Sequence, residues 1–237
     1  MAGAGLLAVA FAMIFSAVVA VVDGGGGAAG LIVSAVLTGS VGLALFLGSQ
    51  VSPTADSALA FAAVAWSWVA VSLAGALPFL LTGVISWEHF DDAIFESISG
   101  FTCSGSTILS DFGSVPQGVL FYRSMTQWLG GMGLVVLAVA VLPALGIGGL
   151  DLIASEAPGP TADRLTLRVR DTARQLWLLY GAITCAVGLA LFLVGMSVFD
   201  AVTHAFTTVS TGGFSPHADS IAYFDSFPIE MLSLIHI

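Results

Sequence analysis

The chain has 237 residues, of which 57% are hydrophobic and 8% are charged, and its formal net charge is −10. Because a soluble domain carries about 25% charged residues, this composition excludes an ordinary soluble protein and indicates a polytopic membrane protein. The acidic balance argues against a nucleic-acid-binding protein. The acids could attract cations or simply solvate the loops, and composition does not choose between these roles. The two cysteines, Cys103 and Cys185, have no metal-binding spacing.

Long apolar segments follow one another along the chain. A helix needs roughly 20 apolar residues to cross a bilayer. The first segment lacks a basic amino-terminal region and an Ala-x-Ala site before Asp23, so we interpret it as mature structure rather than as a signal peptide. The predicted spanning helices cover residues 6–22, 28–48, 55–82, 118–145 and 175–197, and a sixth begins near Phe227.

Two shorter segments repeat at an offset of 108 residues, which superposes Gly105 on Gly213 and Asp92 on Asp200. Each segment opens with an acid, is too short to cross a bilayer, and ends in a turn rich in hydroxyl groups and glycine. Irregular backbone at membrane depth is tolerated only where it is buried or lines a watery cavity. The repeat therefore predicts two re-entrant pore loops of a symmetric pore. Their short helical parts are predicted at residues 91–100 and 199–208.

The turns that end these segments have the composition of a potassium filter. A potassium ion gives up its hydration shell only where backbone carbonyl oxygens replace it. Glycine permits the positive φ that aims successive carbonyls inward, and the negative ends of the short helices would point at the cation. Such turns are often ordinary loops, but their repetition favours a filter. The predicted filter residues are Thr102, Cys103, Ser104, Gly105, Ser210, Thr211, Gly212 and Gly213.

The arginines predict the orientation of the chain. Four of the five basic residues lie between Arg164 and Arg174, and short loops rich in arginine face the cytoplasm. Counting helices from that point places the N-terminus inside and both turns outside. Arg123 then lies on the outer side, where it could pair with Asp111 or Glu96.

Several stretches resemble a known family. Residues 95–109 read FESISGFTCSGSTIL, residues 127–133 read QWLGGMG, residues 170–177 read RDTARQLW, and residues 209–217 read VSTGGFSPH. Together they resemble the TrkH/KtrB/HKT superfamily of potassium transporters, and its TrkH branch most closely. The resemblance covers roughly residues 55–230. The QWLGGMG stretch is its most specific part, and we expect its glycines to pack closely against a pore loop.

The resemblance implies an all-α fold of helix–pore-loop–helix modules around one pore, with two extra transmembrane helices in front. Each loop donates a filter glycine, here Gly105 and Gly213, and Cys103 stands where the family commonly has threonine. The expected divisions are an N-terminal helix pair (1–52), a first module (53–149), a cytoplasmic linker (150–174) and an incomplete second module (175–237). Because residues 233–237 do not read as a natural terminus, we expect a truncated chain.

The resemblance also implies a function and partners. The function is potassium uptake across the cytoplasmic (inner) membrane down the electrochemical gradient, without a covalent cofactor. The partners are a second copy of the chain, in a homodimer, and a cytosolic nucleotide-binding regulatory subunit of the TrkA type. The arginine-rich linker faces the side on which it could touch that subunit, although topology alone explains its arginines more simply.

Two other functions are compatible with parts of the sequence. Ser104 and His204 could form the nucleophile and base of a rhomboid-like intramembrane protease, but the rhomboid pattern Gly-x-Ser-Gly fails at Thr102. His204 is better explained as a packed, hydrogen-bonded helix residue. The chain could also be a non-conducting assembly fragment. We therefore predict a transporter and not an enzyme.

Overall fold

The computed structural model describes residues 2–48, 57–141 and 161–234, and all regular structure in those residues is helical. Within the described ranges, 3-10 helices lie at Trp87–His89, Phe112–Ser114 and Ser220–Phe224. The α-helices described there are α1 (Ala2–Val22), α2 (Ala28–Gly48), α3 (Ser57–Gly75), α4 (Leu77–Leu81), α5 (Phe90–Phe101), α6 (Gln117–Val141), α7 (Thr161–Leu193), α8 (Val198–Val209) and α9 (Phe227–Leu234).

The described helices include four that are long and apolar enough to cross a membrane. They are Ala2–Val22, Ala28–Gly48, Ala62–Leu81 and Asp171–Leu193, and each coincides with a predicted span. The predicted span 118–145 corresponds to α6 as far as Val141, and its remaining residues lie outside those described. With 25 residues, α6 is about 37 Å long, which exceeds a hydrocarbon core of about 30 Å.

Two predicted segments differ in detail from the structure. The span 55–82 is divided into α3 and α4, because Pro78 lies in the first turn of α4 and proline cannot continue a preceding helix. The predicted linker 150–174 is helical from Thr161, where α7 begins. Charged residues keep that stretch out of the hydrocarbon but do not break a helix, so the spanning helix extends into it. Residues 150–160 lie outside the described part of the chain.

The short helices α5 and α8 lie where the repeat predicts them, within one residue at each end. Each has 12 residues and is about 18 Å long, too short to span a bilayer. In α8 the side chain of Ser197 accepts a hydrogen bond from the Asp200 amide and so caps the first turn.

The core consists of two apolar clusters, one for each copy of the repeat. The first joins α1, α2, α4, α5 and α6, with Met13, Leu31, Phe79 and Val119 at 1% exposure or less. The second joins α7, α8 and α9. Helix α6 packs against α1 and α5 and also against α8. It therefore stands between the two short helices, and its side chains can reach both turns.

Candidate functional site

The first turn, residues 102–105, closes the C-terminus of α5. The Ser104 amide donates to the Ser99 carbonyl at 3.1 Å, and the Cys103 amide donates to the Gly100 carbonyl at 3.0 Å. This pair of bonds is a Schellman motif, which satisfies carbonyls that the end of a helix would otherwise leave free.

The second turn, residues 210–213, closes α8 in the same way. The Gly212 amide donates to the Thr207 carbonyl at 2.8 Å, and the Thr211 amide donates to the Thr208 carbonyl at 3.0 Å. Each donor and acceptor lies 108 residues after its counterpart in the first turn. The offset found in the sequence is therefore a repeat of backbone hydrogen bonds.

The backbone angles repeat as well. Cys103 and Thr211 have φ of 55° and 54°, and Gly105 and Gly213 have φ of 74° and 84°. Left-handed backbone is common for glycine but uncommon for other residues, and for a β-branched residue such as threonine it is a genuine outlier. Such strain persists only where the surrounding structure enforces it, and it concentrates at functional sites.

The polar side chains of the turns bond to nearby protein groups. These bonds fix the positions of the side chains around the turns. The bonds run from Thr102 Oγ1 to Ile98 O (2.8 Å), Ser104 Oγ to Ser99 Oγ (2.9 Å), Ser210 Oγ to Thr207 O (3.2 Å), Thr211 Oγ1 to Ser210 O (2.7 Å) and Cys103 Sγ to Gln127 O (3.3 Å).

The two turns touch each other at the predicted filter glycines. A Cβ placed on Gly105 would collide with the Gly212 carbonyl oxygen and lie 3.7 Å from the Gly213 Cα. Thus the close approach, and not only the positive φ, requires glycine at position 105. The structure brings all eight sequence-predicted filter residues into two adjacent turns.

A buried ion pair supports the segment that follows the first turn. Glu96 and Arg123 are 0% and 2% exposed, and the Arg123 Nε lies 2.5 Å from the Glu96 Oε1. The Glu96 carboxylate also accepts hydrogen bonds from the Thr107 hydroxyl (3.0 and 3.1 Å) and the Ile108 amide (3.1 Å). Of the two partners expected for Arg123, the structure therefore selects Glu96. Asp111 instead accepts from the Gly113 amide.

The segment after the second turn has a neutral counterpart of that support. His204, at the position of Glu96 in the repeat, lies 3.1 Å from the Ser215 Oγ through its Nε2 and 2.8 Å from the Asp200 carbonyl through its Nδ1. Ser215 is the counterpart of Thr107. As predicted, His204 is a buried, hydrogen-bonded helix residue.

Helix α6 joins the two supports. Arg123 donates through its η nitrogen to the Ser215 carbonyl at 2.9 Å, and its guanidinium lies 3.5 Å from the centre of the Phe214 ring. One turn further along α6, the Gln127 Nε2 donates to the Gly212 carbonyl at 2.9 Å, and the Gln127 Oε1 accepts from the Phe214 amide at 3.0 Å. A residue of the first repeat thus holds the backbone of the second.

The glycines of α6 make room for both turns, as expected from the sequence. A Cβ on Gly130 would collide with the Phe101 carbonyl, and one on Gly131 would lie 2.9 Å from the Ser210 Cβ. Gly133 instead faces Trp68 of α3, at 3.4 Å. The role of Gln127 was not predicted from the sequence. The available signal was an amide placed four residues after Arg123, on the same face of a helix.

Comparison with known proteins identifies the family. The family model for TrkH, a cation transport protein, matches residues 29–237. The chain belongs to the TrkH family. This match confirms the family resemblance found in the sequence. It also confirms the prediction of an all-helical, multi-pass membrane protein.

Individual members of the TrkH family show the extent of the match. The Trk system potassium uptake protein TrkH of Halomonas elongata is 47% identical over 173 residues, which are 73% of this chain and 36% of that protein. The protein of the same name from Escherichia coli K12 is 47% identical over 176 residues, or 74% of this chain and 36% of that protein. The chain thus spans about a third of the length of these relatives.

A solved TrkH structure shares the fold. The crystal structure of the potassium transporter TrkH from Vibrio parahaemolyticus superposes with a TM-score of 0.84 at 35% sequence identity, covering 99% of this chain and 47% of that chain. Together with the helical architecture, this match confirms the predicted all-α membrane fold.

The protease alternative lacks support from either source. The Ser104 hydroxyl contacts Ser99, and both ring nitrogens of His204 contact other groups, namely Asp200 and Ser215. Neither residue of the supposed pair contacts the other. The TrkH family consists of transport proteins, in agreement with the prediction that the chain is not an enzyme.

Proposed function

We propose that this chain supplies the first part of a potassium-uptake pore, in which the carbonyls of residues 102–105 and 210–213 form half of a selectivity filter. The observation that carries the proposal is the pair of matched turns, in contact at Gly105 and Gly212, at the C-terminal ends of two helices too short to span. Four carbonyl-presenting segments of this kind would complete a ring. We infer that the ion is potassium because the relatives are named potassium uptake proteins.

The direction of transport follows from electrostatics. Moving one charge across 100 mV is worth roughly 2.3 kcal/mol, which is enough to accumulate potassium in a cell with a negative interior. Uptake through carbonyl sites needs no covalent cofactor, and potassium itself is the transported ligand. The acids at the starts of α5 and α8, Asp91, Asp92 and Asp200, compensate the positive ends of these helices.

The assembly proposed with this function is a homodimer in the inner membrane. The arginines between 164 and 174 support an N-terminus on the inside. In this proposal residues 1–52 form the N-terminal helix pair, and 53–149 and 175–237 form two pore modules. A cytosolic TrkA-type subunit would meet the linker at residues 150–174. The last residues, 235–237, lie outside those described.

The test measures ion uptake by the full-length protein that contains this chain, in cells that lack other potassium-uptake systems. We expect Gly105→Ser and Gly213→Ser to lower potassium-over-sodium discrimination by at least about tenfold, since a side chain at positive φ displaces the carbonyls. Gly83→Ser is the matched control, because Gly83 has a φ of 76° and no neighbour within 4 Å of its Cβ position. Unchanged discrimination in both turn variants would refute the filter assignment.

A further inference from the structure

Two buried polar side chains project from one face of α6. Arg123 and Gln127 are one helical turn apart and are 2% and 0% exposed. A buried polar group is costly unless it is hydrogen-bonded. Both residues meet this requirement in the second repeat, 85 to 92 positions away in the sequence.

Gln127 brackets the filter glycine Gly213. Its amide nitrogen donates to the carbonyl of the preceding residue, Gly212, and its amide oxygen accepts from the N–H of the following residue, Phe214. The identities of the partners fix the orientation of the amide, because a carbonyl only accepts and an N–H only donates. The two peptide groups on either side of Gly213 are therefore held by one side chain.

The two bonds from Gln127 matter because they restrict a stretch of backbone that is intrinsically flexible. Gly212 and Gly213 are adjacent glycines, and glycine adopts a wider range of φ and ψ than any other residue. A Cβ on Gly212 would also collide with the Gln127 amide, so the glycine and the glutamine fit together. Arg123 contacts the next two residues: its guanidinium lies over the Phe214 ring and donates to the Ser215 carbonyl.

The hydrogen bonds that Arg123 and Gln127 make to residues 212–215 all end on main-chain groups. Side-chain differences between the two turns therefore leave these bonds intact. The first turn has a different relation to the same position, since the Cys103 thiol donates to the main-chain carbonyl of Gln127. Position 127 thus contacts both turns, one through its backbone and the other through its side chain.

We propose that Gln127 is a positioning residue for ion selectivity: from the first module, it sets the peptide orientation on both sides of the second filter glycine. This inference rests on the proposed filter. It adds that discrimination at the second turn depends on a side chain outside that turn, which is expected not to touch the ion.

The experiment compares Gln127→Met with Gln117→Met in the full-length protein. Methionine has a similar length but neither bonds to Gly212 nor accepts from Phe214. Gln117 is the matched control, because it is an exposed glutamine at the start of the same helix. The readouts are the ratio of potassium to sodium uptake and the elution of purified protein in detergent. We expect the ratio to fall about tenfold in Gln127→Met, the effect of losing buried hydrogen bonds at two peptide groups, and to stay unchanged in Gln117→Met.

Each other outcome has one meaning. An unchanged ratio in folded Gln127→Met overturns the inference, while the proposed filter stands if the unsubstituted protein discriminates. An equal fall in both variants also overturns it. A full-length protein without potassium selectivity refutes the proposed function and the inference together.

If Gln127→Met does not fold, Gln127→Glu replaces it. It keeps an acceptor for Phe214 but loses the donor to Gly212, and an unchanged ratio there again overturns the inference.

Discussion

The two turns share a backbone and differ in what supports it. Both end a 12-residue helix with the same hydrogen bonds and the same signs of φ. In both, a side chain in the helix bonds to a hydroxyl eleven residues later, from Glu96 to Thr107 and from His204 to Ser215. The main-chain geometry is therefore repeated, whereas the chemistry of its support differs.

The variation has a physical cost in the first repeat alone. A buried carboxylate needs a compensating charge, and Arg123 provides it for Glu96. His204 bonds to the Ser215 hydroxyl and the Asp200 carbonyl, which are both uncharged. The first turn therefore depends on an ion pair that must be complete. The second turn combines the neutral bonds of His204 with bonds from Arg123 and Gln127.

The largest difference is expected when each support is removed. Glu96→Ala leaves Arg123 as a buried charge without its partner, at a cost of about 3–5 kcal/mol in the free energy of unfolding. His204→Ala leaves only neutral groups unpaired and should cost about 1–3 kcal/mol. Denaturant unfolding of the full-length protein in detergent measures both.

A double variant controls for the loss of side-chain volume. Glu96→Gln combined with Arg123→Met removes both charges and should cost less than the sum of the two single changes, because the residues interact. Equal losses in Glu96→Ala and His204→Ala would contradict the contrast between charged and neutral supports.

The second difference concerns Gly105 and Gly213, the two proposed filter glycines. Gly105→Ala and Gly213→Ala both place a side chain at positive φ, which costs roughly 1–2 kcal/mol. Only at Gly105 would the new Cβ also collide with the Gly212 carbonyl, whereas at Gly213 nothing lies within 4 Å. We expect Gly105→Ala to lower the unfolding midpoint clearly more, since overpacking adds about 1–3 kcal/mol. Similar midpoints for the two variants would mean that the turns are further apart than described.

The smallest effect is expected at the two strained non-glycine positions. Thr211 is exposed and β-branched, so Thr211→Gly should relieve strain and raise stability by up to about 1 kcal/mol. Cys103→Gly relieves a similar strain but loses the thiol contact with the Gln127 carbonyl, so no gain is expected. Thermal unfolding of both variants checks the order, and a gain for Cys103→Gly alone would reverse the argument.

The sequence allowed much of this arrangement to be predicted, because the repeat constrains local structure. The positions of α5 and α8 and the paired glycines follow from short-range patterns and the offset. The sequence left Glu96 and Asp111 both open as partners of Arg123, and the structure selects Glu96. The break at Pro78 was visible as a proline but was not interpreted as the end of a helix. The start of α7 at Thr161 was not predicted, because the charged residues after it are equally typical of a loop and of an exposed helix.

The role of Gln127 could not be predicted from the sequence, for a different reason. Its two partners are 85 and 87 residues away, and they are main-chain groups, which any sequence provides. No residue type in the second turn therefore indicates the contact. Only the packing of α6 between the two short helices brings Gln127 to Gly212 and Phe214.

The same separation orders the events of biosynthesis. Glu96 meets Arg123 after 27 further residues have been made, but Gln127 must wait for residue 212. At 5–20 residues per second that interval is about 4–17 s. During this interval α6 has been synthesised but the second turn has not. The second turn therefore folds against a helix that is already present. Nascent chains stalled before and after residue 215 would separate the two stages.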